Sequence, residues 1–102
     1  MLDNKHTSKK TIIITGGNSG LGYECAKNIA KTNKENFIVL ACRNSEKTKA
    51  AVNSLIKETE NYNITAFEID LSSLESVRNF VRIFLNSKFP PLYAIVCNAG
   101  LQ

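Results

Sequence analysis

One junction constrains this chain more than any other feature. A compact β-branched run, Thr11–Thr15, ends on Gly16-Gly17, and a helical pattern begins within a few residues. A continuous apolar run closed by glycines reads as a buried strand. In the stretch that follows, Leu21, Cys25, Ala26, Ile29 and Ala30 fall on one helical face, and the pattern fades at Asn33. Between them lies Thr15-Gly16-Gly17-Asn18-Ser19-Gly20-Leu21-Gly22. Glycines allow a tight turn with positive φ and let the backbone approach a ligand closely. The helix behind them presents unpaired N–H groups and a positive dipole end, so the turn is suited to a diphosphate. The spacing is G-x-x-x-G-x-G rather than G-x-G-x-x-G. It also lacks the Gly-Lys-Ser/Thr of a P-loop, which argues against ATP or GTP hydrolysis.

The same alternation continues along the chain. Phe37–Cys42 is a second apolar run. Asn44 or Ser45 can cap a second helix with Ala51, Val52, Leu55 and Ile56 inward. Ile64–Ile69 reads as a third strand, and Ser72 with Glu75 forms an S-x-x-E capping box. Behind the box, Leu74, Val77, Phe80, Val81, Phe84 and Leu85 make an amphipathic stripe that Pro90-Pro91 closes, before a fourth apolar run, Leu92–Cys97. The order β-α-β-α-β-α-β predicts an α/β fold, a Rossmann-like doubly wound parallel sheet of strand order 3-2-1-4 with both faces covered. Ligands of such sheets bind at the carboxyl ends of the strands, at the switch point between strands one and four. Residues 1–10 read as a polar tail and 11–102 as one partial dinucleotide-binding domain.

Composition excludes several classes. With 102 residues, 43% hydrophobic, 22% charged and a formal charge of +4, the chain is neither disordered nor low in complexity. No apolar run approaches the ~20 residues of a membrane helix, and the polar first ten residues lack a signal core. The lysines mix with acids and no Arg-rich stripe appears, so neither nucleic acid nor membrane is an expected partner. Cys25, Cys42 and Cys97 are an odd number without a C-x-x-C, which suggests reduced packing residues in a cytoplasmic protein. His6, the only histidine, lies in the polar tail. No metal site is expected.

The end of the second strand bears on cofactor choice. An Asp or Glu there would hold a ribose 2′-hydroxyl and repel a 2′-phosphate. This chain reads Leu40-Ala41-Cys42-Arg43-Asn44, with no acid before Glu46. Arg43 offers a planar donor fork suited to phosphate.

T-G-x-x-x-G-x-G at Thr15–Gly22, Asp70-Leu71 after strand three and Asn98-Ala99-Gly100 after strand four together resemble the short-chain dehydrogenase/reductase family, from Lys10 to the last residue. Ala41-Cys42-Arg43-Asn44, Asp70–Arg78 and Val96–Ala99 are most similar to its retinol dehydrogenase and light-dependent protochlorophyllide reductase branch, whose members prefer NADP(H). The resemblance implies that Gly16, Gly20 and Gly22, with Leu21 among them, cradle the diphosphate while Asn18 and Ser19 supply side-chain donors. It implies that Arg43 holds the 2′-phosphate, that Asp70 meets the adenine amino group and that Leu71 lines the ring. Asn98, Ala99 and Gly100 would pass the adenosine ribose. The residues alone leave Asp70 open as the lead into a helix cap, and Asn98 as a local turn.

The family's chemistry uses a tyrosine acid/base beside a lysine, beyond the Asn-Ala-Gly segment. The one Tyr-x-x-x-Lys match here, Tyr23–Lys27, opens the helix after the glycines and so lies in the wrong element. Tyr62 and Tyr93 have no lysine four residues on. The expectation is therefore an NADP(H)-binding N-terminal portion of an oxidoreductase without its catalytic half, inactive alone. Its partners would be the dinucleotide and, through a bare fourth strand, a second copy or the missing C-terminal half. A nucleotide-binding or interaction module without chemistry remains the alternative.

Overall fold

A computed structural model describes residues 9–18, 20–43 and 46–97. Its elements are β1 (Lys10–Thr15), α1 (Gly20–Thr32), β2 (Asn36–Cys42), α2 (Glu46–Thr59), β3 (Ile64–Glu68), α3 (Leu74–Asn86) and β4 (Leu92–Cys97). The four strands form one parallel sheet in the order β3-β2-β1-β4. Ile14 pairs with Leu40 on one side and with Val96 on the other. The architecture is the doubly wound one expected from the alternation.

Strand periodicity divides the core. Ile12, Ile14, Ile38, Leu40 and Cys42 point to the face covered by Ala26 and Ala30 of α1 and by Ala51 and Leu55 of α2. Ile13, Val39 and Ala41 point to the other face, where Phe80 of α3 packs with Phe67, Val77, Phe84 and Phe89. Side chains alternate along a strand, so a run that is apolar at every position must be covered twice. Phe84 and Phe89 stack at 5.4 Å, and Phe67 meets Phe89 edge-on at 5.8 Å.

Four local readings differ from the sequence expectation. In α1 the buried stripe is Gly22, Ala26 and Ala30, while Leu21 is 74% exposed. At 100° per residue Leu21 lies well off the axis of that stripe, and the small side chains let the helix sit close to the sheet. In α3 the apolar stripe divides: Val77, Phe80 and Phe84 face the sheet, but Leu74, Val81 and Leu85 are exposed. The N-cap of α3 is Ser73, not Ser72, and its side chain accepts the Ser76 N–H. Ser72 is spent on Asp70, to whose Oδ1 it donates both its N–H (3.0 Å) and its hydroxyl (2.7 Å). α3 stops at Asn86, where the Ser87 N–H donates to the carbonyls of Ile83 and Phe84. Pro90 and Pro91 act later, their carbonyls accepting the hydroxyl and the N–H of Thr11.

One residue pins the far ends of β2 and β3. Asn61 is fully buried, donates from Nδ2 to the carbonyls of Ala30 and Asn36, and accepts the Asn63 N–H on Oδ1. It ties α1, β2 and β3 together opposite the site described next.

Candidate functional site

Because every strand is parallel, all four carboxyl ends meet at one rim. β1 runs into the glycine turn there, β2 into Arg43 and β3 into Asp70. Gly16 has φ 66° and Gly20 φ 62°, the left-handed region that side chains disfavour. A Cβ placed on Gly20 would meet nothing within 4 Å, so the backbone at the mouth of α1 faces open space. The first turn of α1 carries no acidic residue, so nothing on it opposes an anion at this N-terminus. This surface fits a diphosphate in charge and access.

Gly17 has a different task. A Cβ there would stand 2.7 Å from Leu40 Cδ2 and 3.2 Å from Ile14 Cγ2, both on fully buried side chains. The turn must press into the core, and only a glycine permits it.

The structure brings Arg43 and Asp70 together across the rim, Nη2 to Oδ1 at 3.8 Å. The Arg43 side chain is 80% exposed, so the pair is loose and water-screened. The two hydrogen bonds from Ser72, hydroxyl first and N–H second, hold the Asp70 carboxyl below its ordinary value of 3.8, and the Arg43 charge adds to this. The Asp70 N–H donates to Ser76 Oγ at 2.8 Å. Asp70 thus serves the α3 cap while standing at the rim, 3.8 Å from Arg43. Leu71 beside it is 52% exposed, an apolar side chain on the surface as Leu21 is.

Asn18 is turned sideways, its Nδ2 donating to Thr48 Oγ1 at 3.1 Å. Thr48, 5% exposed, donates to the Arg43 carbonyl at 3.0 Å. The Cys42 thiol is buried against the same group: burial pushes it above its ordinary value of 9.0, while the N–H groups of Gly17, Asn18 and Gly16 and the Thr48 hydroxyl pull the other way. Sequence reasoning passed over Thr48 and Gly17. A hydroxyl on the first turn of a helix five residues after the arginine was the available signal for Thr48. Ser19, Asn98, Ala99 and Gly100 lie outside the described residues, as do the Asn44 and Ser45 caps and residues 1–8 of the tail.

Tyr23 is drawn away from the rim. Its hydroxyl lies 2.7 Å from Ser54 Oγ and donates to Glu58 Oε1 at 3.1 Å, and Lys27 meets the same Glu58 at 3.6 Å. Tyr23 and Lys27 fasten α1 to α2. Tyr62 precedes β3 and Tyr93 opens β4, both at the opposite end of the strands. Cys97, expected to pack, is exposed on the outer strand. Among the described residues no group of His, Cys, Asp and Glu could hold a metal ion, and no helix is long and apolar enough to cross a membrane.

Comparison with known proteins agrees with this fold. A family model described as short chain dehydrogenase matches residues 10–102. The chain is 42% identical over 101 residues to the WW domain-containing oxidoreductase of Gallus gallus, covering 99% of this chain and 24% of that protein. It is 43% identical over 97 residues to the chloroplastic protochlorophyllide reductase of Daucus carota, covering 95% and 23%. Among solved structures, menthone neomenthol reductase from Mentha piperita superposes with a TM-score of 0.76 at 31% identity, over 88% of this chain and 31% of that one. L-Sorbose reductase from Gluconobacter frateurii, complexed with NADPH and L-sorbose, gives 0.68 at 28% identity, over 78% and 29%. The chain spans about a quarter of the length of the curated relatives it matches.

Proposed function

Since the chain belongs to the short chain dehydrogenase family, we propose that its strand-end rim binds a nicotinamide dinucleotide, NADP(H) in preference to NAD(H), as the cofactor part of an oxidoreductase. The observation that carries the preference is the end of β2, where an exposed Arg43 stands and no carboxylate occupies the place that would claim a ribose 2′-hydroxyl. L-Sorbose reductase, similar to this chain in fold, was solved with NADPH. Gly16, Gly20, Leu21 and Gly22 form the diphosphate cradle with Asn18 and Ser19. Arg43 takes the 2′-phosphate, Asp70 and Leu71 take the adenine, and Asn98, Ala99 and Gly100 pass the ribose. When bound, the dinucleotide carries the hydride. This chain's residues bind and orient it.

No tyrosine among the described residues offers a proton donor at the rim, since Tyr23 is engaged by α2 and the other two stand at the far end of the sheet. General acid help is worth ~10²–10⁴-fold, and without it the 102-residue chain does not turn over aldehydes or ketones by itself. β4 is an outer strand among the described residues, and Leu92, Tyr93 and Ile95 on it are exposed together with Leu74, Val81 and Leu85 of α3. This surface is where a second copy, or further chain of the same protein, pairs with it. Free cysteines fit a reducing, cytoplasmic setting.

Calorimetry tests the reading. A charge-assisted contact of ~1.5–3 kcal/mol gives NADPH a roughly ten- to a hundred-fold advantage over NADH. Arg43→Ala removes most of it. Equal affinity of the unaltered chain for both cofactors contradicts the assignment.

A further inference from the structure

Arg43 is a long side chain on the surface, and its 3.8 Å contact with Asp70 does not fix the guanidinium tightly. Its backbone is another matter. The Arg43 carbonyl is held by the Thr48 hydroxyl at 3.0 Å, and that hydroxyl accepts the Asn18 amide at 3.1 Å. A hydroxyl has one proton to give and two lone pairs to receive. While the Cys42 thiol is neutral, the proton goes to the Arg43 carbonyl, and a lone pair takes the Asn18 amide. Thr48 is nearly fully buried and lies beside the Cys42 thiol, which itself rests on the N–H groups of Gly16, Gly17 and Asn18. One hydroxyl therefore joins the turn after β1 to the turn after β2, the two segments that would grip opposite parts of the dinucleotide's phosphates.

We propose that Thr48 is a positioning residue for dinucleotide discrimination: its hydroxyl fixes the Arg43 backbone relative to the glycine loop, so that the guanidinium and the diphosphate cradle meet one ligand at a set separation. The inference rests on the reading that Arg43 holds the 2′-phosphate. A preorganised arm loses less freedom on binding than a loose one. The gain falls on ligands that carry the 2′-phosphate, because only they use the arm.

The test uses adenosine 2′,5′-bisphosphate and adenosine 5′-monophosphate, which report the adenosine end without any reaction. The unaltered chain binds the bisphosphate more tightly. Thr48→Val removes the hydroxyl, and losing its hydrogen bonds to Arg43 and Asn18 narrows the affinity ratio by roughly five- to tenfold. Thr48→Ser restores it, which a role in packing alone would not. Asn18→Ala removes the loop side of the bridge from a part-buried position and narrows the ratio even if Thr48→Val does not fold. A ratio unchanged in Thr48→Val, or in Asn18→Ala where the valine variant is unfolded, overturns the inference while leaving the Arg43 reading in place. Equal binding of both nucleotides by the unaltered chain overturns both.

Discussion

Replacing Gly17 by alanine separates a turn that merely bends from a turn that is wedged into the core. The added Cβ would stand 2.7 Å from Leu40 Cδ2 and 3.2 Å from Ile14 Cγ2. Leu40 is fully buried and walled by its neighbours, and Ile14 is a stiff β-branched side chain on the central strand. Neither can swing into solvent, so relief must come from a shifted loop or an off-rotamer leucine. Overpacking of this kind costs about 1–3 kcal/mol. For a domain of this size that lowers the melting midpoint by roughly 4–8 °C per kcal/mol, so a drop of about 8–16 °C is expected at the centre of the range. The assay is thermal unfolding followed by far-UV circular dichroism. Leu40→Val in the Gly17→Ala background should recover part of the loss, giving a coupling of about 1 kcal/mol between sites in contact. Gly20→Ala is the control. It meets no atom within 4 Å, so its cost comes from φ alone, about 1 kcal/mol, and does not respond to Leu40. An unchanged midpoint in Gly17→Ala, or strict additivity with Leu40→Val, refutes the wedge.

Asn61→Leu removes three hydrogen bonds from a fully buried position and leaves the Ala30 and Asn36 carbonyls unpaired, so urea unfolding should show a loss of about 2–4 kcal/mol. Glu60→Gly should stabilise by about 0.5–1 kcal/mol in the same assay. Glu60 ends α2 at φ 59°, where glycine carries no Cβ penalty, and the exposed Lys34 pair it gives up is weak. Cys42 sets a pH dependence. Its thiol is favoured neutral in the folded chain, so its stability contribution is complete below pH 9.0, the ordinary value, and is lost as pH rises toward the higher folded value. Cys42→Ala should flatten the alkaline limb of a pH–stability curve, and identical limbs in both proteins would refute the burial argument.

The order of elements was legible because β-branched runs and helical stripes differ in period, and parallel strands must be apolar throughout. The strand order 3-2-1-4 followed from reading that alternation as a doubly wound sheet. What escaped the sequence depends on three-dimensional competition. Ser72 and Ser73 are equally good caps on paper, and only the claim of Asp70 on Ser72 moves the helix start by one residue. Leu21 looks like a core residue until the centre of the buried stripe is fixed by Gly22, Ala26 and Ala30. The division of α3 into inner and outer stripes depends on how many neighbours the helix has, which no periodicity encodes. At the rim, Gly16, Gly20, Arg43 and Asp70 stood out by residue type, whereas Thr48 joins it through a contact that spans 30 residues to Asn18.

The proposed dinucleotide site is the rim formed by the glycine turn, Arg43 and Asp70. Amide chemical-shift mapping during titration with NADPH tests it most directly. The largest shifts are expected at Gly16, Gly17, Asn18, Gly20, Leu21, Gly22, Arg43, Asp70 and Leu71, with the outer stripe of α3 and the Tyr93 end of the sheet unmoved. Shifts centred on that far end, or a glycine turn that stays unperturbed at saturating NADPH, would contradict it.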